Sequence, residues 1–217
     1  MDTMLRLALR KYNRLRQQVD NMLLGDEGDV VETELRKFVA KRPCWNGKTV
    51  QAPAPQPKPG ILRCISVGEQ IVIGATTGAK TITSATDVFT WGIDPDFKNW
   101  GLDVPGEAKP ETPVQVSEMV RDGDYRTIYG SIGQDLNTLR FTQEQIIAFV
   151  RDHKKWLRTG GYATFFLFKV ENEFFVAGVH SLDVVRPRAR VRRFSDDDVW
   201  YAGSRLRIVL PQLTLEP

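Results

Sequence analysis

Tyr162-Ala-Thr-Phe-Phe-Leu-Phe-Lys-Val170 and Phe174-Phe-Val-Ala-Gly-Val-His180 flank the polar triplet Glu171-Asn172-Glu173. Two β-branched and aromatic runs around so short a polar break read as strands joined by a turn. Phenylalanines at 165, 166, 168, 174 and 175 put apolar groups on both faces, which predicts central strands covered on each side. Upstream, Thr142 to Arg158 reads as a helix. Thr142 and Gln145 have capping-box spacing, Ile146, Phe149, Val150 and Leu157 form an apolar stripe, and Gly160-Gly161 ends it. Downstream, the run from Val185 to Arg193 and the run Ser204 to Leu210 continue the sheet, separated by Ser195-Asp196-Asp197-Asp198. The predicted class is α+β: a mostly antiparallel sheet with a long helix packed on it, preceded by an N-terminal helical hairpin.

The remaining segments are read in the same way. Ile61 to Val67 and Gln70 to Ile73 read as a hairpin turning at Gly68-Glu69, and Thr81 to Thr83 as a third strand. Gly92 to Pro113 is polar, with prolines at 95, 105, 110 and 113, and reads as a long loop over the domain. In Pro113 to Tyr129, Val116, Met119 and Val120 have helical spacing.

The residues before the domain are of another kind. Leu5, Ala8, Tyr12, Leu15, Val19 and Met22 repeat at alternating intervals of three and four, the seam of a heptad helix suited to an oligomer or partner contact. Asp29 and Glu32 have capping-box spacing before a second stripe of Val31, Leu35, Phe38 and Val39, which Arg42-Pro43 ends. The alternate prolines of Gln51 to Gly60 favour an extended spacer. The expected organisation is a helical arm or hairpin over 1–45, a Pro-rich linker over 46–60 and an α+β domain over 61–217.

From about Phe141 to Leu213, the chain carries Thr142-Gln-Glu-Gln145, Trp156-Leu-Arg158, Phe165-Phe-Leu-Phe168 and Leu210-Pro-Gln-Leu213. Over this third of its length it resembles short uncharacterised bacterial proteins of no assigned activity. The resemblance implies a bacterial type of domain and supplies no site residues.

Val185-Arg-Pro-Arg-Ala-Arg-Val-Arg-Arg193 alternates arginine with small or apolar residues. On a strand, Arg186, Arg188, Arg190 and Arg192 would share a face at intervals of about 6.6–6.8 Å, close to the phosphate spacing of an extended single strand. Net charge is +3, yet 186–207 holds seven arginines and three aspartates, so the positive charge is concentrated there. Arg205 and Arg207 would extend the patch if their strand pairs with the arginine strand. Trp91 and Trp100, in and before the long loop, supply aromatics of the kind that stack bases. The competing accounts are an edge strand protected by charge, with Asp196 to Asp198 compensating the arginines, and tryptophans that pin the loop to the core.

Other chemistry is poorly supported. Gly74-Ala-Thr-Thr-Gly78-Ala-Lys80 departs twice from a phosphate-binding loop, in its spacing and in the residue after the second glycine, and reads as a turn. Asp94-Pro95-Asp96 lacks further ligands, so no metal or cofactor is expected. His180, Ser181 and Asp183 are near in sequence, but a triad is defined by geometry and no nucleophile elbow is present; no catalytic residue is assigned. Cys44 and Cys64 read as reduced thiols. No apolar run approaches the roughly 18–20 residues of a membrane span and no secretory leader is evident, so a cytoplasmic protein is expected. The reading from sequence is a non-enzymatic module that binds a polyanion, foremost a nucleic-acid backbone. Its alternatives are an assembly protein contacting other polypeptides, acidic ones included, or an enzyme with a cleft under the 92–113 loop.

Overall fold

The hairpin at 162–180 forms in the computed structural model, which describes residues 28–40, 60–183 and 186–212 together with Val19 and Leu23. β5 (Ala163–Val170) and β6 (Glu173–Ser181) pair antiparallel from Ala163↔His180 to Val170↔Glu173, turning at Glu171-Asn172. Both faces are apolar. Phe166, Phe168, Phe175, Ala177 and Val179 face one buried cluster, and Ala163, Phe165, Leu167 and Val176 face a second.

Six further strands extend the sheet: β1 (Leu62–Cys64), β2 (Ile71–Ile73), β3 (Gly92–Ile93), β4 (Thr112–Met119), β7 (Pro187–Arg193) and β8 (Arg207–Pro211). Their order is β1-β4-β8-β5-β6-β7-β3, with β2 also on β4. All pairings are antiparallel except β3 with β7 and β5 with β8. The mostly antiparallel mixed fold therefore holds.

Helices α2 (Asp96–Asn99), α3 (Tyr125–Gly130), α4 (Leu136–Leu139) and α5 (Gln143–Asp152) cover the two faces. Ile146 and Phe149 of α5 and Phe97 of α2 enter the first cluster, while Tyr125, Ile128 and Tyr129 of α3 enter the second. The capping box of α5 forms: Gln145 N donates to Thr142 Oγ1 (3.2 Å) and Thr142 N to Gln145 Oε1 (2.9 Å). The helix is shorter than the sequence predicts. His153 leaves helical geometry (φ −122°, ψ 37°) and its Nε2 donates to Val72 O (2.9 Å), after which a 3₁₀ turn follows at Lys154–Trp156. Gly160 and Gly161, at φ +76° and +84°, shape the turn that returns the chain to the end of β6, where their amides donate to Leu182 O and Ser181 O.

Four local expectations are corrected. β1 and β2 do not pair with each other; each pairs with a different part of β4. Thr112–Met119 is a strand, not a helix, because Val114 and Val116 alternate into the first cluster and β1, β2 and β8 satisfy its backbone. Thr81–Thr83 is not a strand: Ile82–Ser84 is a 3₁₀ turn whose first amide donates to buried Gln143 Oε1 (2.9 Å). The 92–113 segment is no open loop, since it contains β3 and α2 and buries Phe97 and Leu102.

The chain divides into two compact units, Met1–Lys58 and Pro59–Pro217. In the first, α1 (Gly28–Val39) begins before Asp29, so the expected capping box does not form. Glu32 instead pairs with Arg36 (2.6 Å). Val31 is buried and Leu35 half-buried, but Phe38 and Val39 are 66% and 79% exposed. Of the heptad seam, Val19 is helical and half-buried; Leu5, Ala8, Tyr12, Leu15 and Met22 lie outside the described residues.

Candidate nucleic-acid interface

β7 alternates as its sequence requires. Pro187, Ala189 and Val191 are buried, and Ala189 and Val191 join the first cluster. Arg188, Arg190 and Arg192 therefore turn together to the other face, each half-exposed. Among the described residues, none of the three forms an ion pair with a carboxylate. Among the described residues, Arg192 Nη1 reaches only the Val191 carbonyl (3.4 Å), and Arg188 Nε is buried without a hydrogen-bond partner. Arg192, Asp196 and Asp198 all act on the Tyr125 phenol. Burial pushes the Tyr125 phenol up, Arg192 acts to lower its pKa, and the two aspartates act to raise it.

The other arginines expected in the patch are elsewhere. Arg186 precedes β7 and is clamped by Asp183, its Nε and Nη2 donating to Oδ2 at 2.9 and 2.7 Å. β8 does not pair with β7, because β5 and β6 lie between them. Arg207 lies on the face of Val209, opposite the arginine row, and its Nη1 donates to Lys155 O (3.3 Å) and Leu157 O (3.1 Å). Arg205 adopts a left-handed conformation (φ 48°) after a 3₁₀ turn. Arg193, next in sequence to the row, faces away from it: it pairs with Glu173 (2.9 Å) and lies 5.0 Å from the Trp100 ring.

Of the two tryptophans, Trp100 is apart from the row. Trp100 packs on the first cluster beside Phe175, which fits the account in which it pins the segment to the core. Trp91 is 44% exposed beside the start of β7, where its amide donates to Pro187 O (3.1 Å).

A residue considered from sequence only for a triad joins the arginine face. His180 pairs across the ladder with Arg188, and Gly178 with Arg190. Gly161 O is an acceptor, so His180 Nδ1, at 3.1 Å, carries the hydrogen of that bond. Burial lowers the His180 pKa; the Gly161 bond opposes this, and Arg190, Arg188 and Arg192 add to the lowering. The ring is therefore neutral at neutral pH. The triad itself is not assembled, since Ser181 points to the opposite side of the strand and its hydroxyl donates to the Asp183 carbonyl. The signal for His180 was in the sequence: counting back from the arginine strand through a short connection pairs it with Arg188.

A cavity of about 430 Å³ lies under 104–107, lined by Arg140, Phe141, Phe168 and Lys169 among others, and a smaller one of about 190 Å³ is lined by Thr76, Glu144 and Asp152 among others. Neither contains a histidine. No group of three or more metal-ligating side chains occurs among the described residues, and no described helix is long and apolar enough to cross a membrane. No family model, curated protein or solved structure matches the chain.

Proposed function

We propose that the chain is a binding module that holds a polyanion, a single-stranded nucleic-acid backbone, along β7. The observation that carries this reading is the row of Arg188, Arg190 and Arg192 on one face with no ion-pairing carboxylate among the described residues. Guanidinium groups grip phosphate bidentately, and a strand repeat of about 6.6–6.8 Å suits successive phosphates of an extended chain. Contacts of this kind set position and affinity, not base sequence. The test is fluorescence anisotropy of the full chain with a labelled single strand over a range of salt. Three neutralised phosphates give a log–log slope of about −2. A salt-independent affinity, or none, removes the reading.

A second reading, an assembly protein, draws on Val30, Phe38 and Val39 exposed on α1. Sedimentation of the chain against an F38E/V39E variant tests it: a loss of self-association supports the reading, and a monomer in both removes the homo-oligomeric form.

A further inference from the structure

The arginine row presents hydrogen-bond donors, and His180 places one acceptor among them. With Nδ1–H committed to Gly161 O (3.1 Å), Nε2 of the neutral ring carries a bare lone pair. Among the described residues Nε2 has no hydrogen-bond partner, and unlike Arg188 Nε it is not a buried atom. It stands over the Cβ-less position 178: a Cβ built there would lie 3.6 Å from Nε2 and 3.4 Å from Phe165 Cε1. Across the ladder from that position is Arg190, and across from His180 itself is Arg188. The charged groups facing the ring are Arg188, Arg190 and Arg192 from β7, while β5 presents only Ala163 opposite it.

A phosphodiester cannot satisfy that lone pair, because its oxygens are acceptors. Each ribonucleotide can, since its 2′-hydroxyl is a donor on the carbon next to the one that bears the 3′-phosphate. A strand whose phosphates lie on Arg188 and Arg190 thus brings a donor to the neighbouring strand of the sheet. We propose that His180 Nε2 accepts a hydrogen bond from a ribose 2′-hydroxyl, so that the arginine face takes single-stranded RNA in preference to DNA of the same sequence. This rests on the polyanion reading of the face and names its ligand class.

The experiment compares three oligonucleotides of about 20 uridines on the full chain: RNA, the deoxy strand, and 2′-fluoro RNA, which keeps the ribose pucker and lacks the donor. At about pH 8, RNA is expected to bind roughly fivefold to tenfold more tightly than either of the others, the effect of one hydrogen bond. His180→Phe should bring RNA down to the 2′-fluoro level, and His180→Gln, which keeps an acceptor, should restore part of the preference. Equal, salt-dependent binding of all three strands overturns the proposal while leaving the polyanion reading intact. So does a parallel gain by all three on lowering to about pH 6, which would mark His180 as a fourth cation. Failure of all three to bind removes the underlying reading instead. Because the 2′-fluoro comparison needs no substitution, it decides the matter even if His180→Phe does not fold.

Discussion

His180 and Arg188 are directly opposed residues of the β6–β7 ladder, and the imidazole is held neutral beside the cation. Its pKa lies below the ordinary 6.5, through burial first and the neighbouring arginines after it. Below that ordinary value the unfolded chain binds a proton that the folded chain refuses. The His180 contribution to stability is thus complete above 6.5 and is lost as pH falls through the folded value. Proton NMR titration should place His180 below 6.5, and Arg188→Gln should move it upward. Urea unfolding of His180→Gln should show a weaker loss of stability on acidification. A His180 that titrates at or above its ordinary value contradicts this account.

The arginines divide into those free to meet a ligand and those already engaged. Replacing Arg188, Arg190 or Arg192 by Gln should each reduce the salt slope by about 0.7. Arg193→Gln should not change it, because Arg193 faces Trp100 and Glu173 across the sheet. Arg207→Gln should act on stability instead, by about 1–2 kcal/mol, since it strips the Lys155 and Leu157 carbonyls of their donor. Salt titrations and urea melts of the five variants check the division.

Gly78 leaves no room for a side chain. It has φ +81°, and a Cβ there would come within 2.5 Å of the Glu107 carbonyl carbon and oxygen and of Gly106 O. The neighbouring Gly106 amide donates to Gly78 O (2.9 Å), so the two segments cannot separate without losing that bond. Gly78→Ala should cost about 2–4 kcal/mol, read as a lowered urea midpoint with little change in slope.

Phe166 joins α5 to the sheet, lying edge-on to Phe141 (6.0 Å) and Phe149 (5.2 Å) with no exposed surface. Phe166→Ala should destabilise by about 3–5 kcal/mol. Thr142→Ala, which removes the α5 cap, should cost only about 1 kcal/mol. Thermal melts in which the order of the two is reversed would mean that α5 depends on its cap more than on its packing.

The hairpin at 163–181 and the start of α5 were legible because each carries a complete local code: alternation around a polar turn in one, a reciprocal cap in the other. Strand β4 was not. Val116, Met119 and Val120 have helical spacing, and only the flanking strands, from distant parts of the chain, make Thr112–Met119 extended. The alternation of Arg188, Arg190 and Arg192 could be read directly, whereas the position of Arg207 depended on strand order, which no local pattern encodes. The failure of Arg186 to join the row traces to Asp183, three residues away, a pairing that sequence spacing permits but does not require.

β8, the last of the described strands, occupies the gap between β4 and β5, antiparallel to one and parallel to the other. During synthesis the chain must therefore carry two half-sheets, β4 with β1 and β2 on it and β5-β6-β7-β3, each with a raw edge that awaits β8. Such a molecule closes late on the ribosome and by long-range contacts, which slows folding. A nascent chain stopped before Arg207 would hold every other described strand of the sheet and none of its closure.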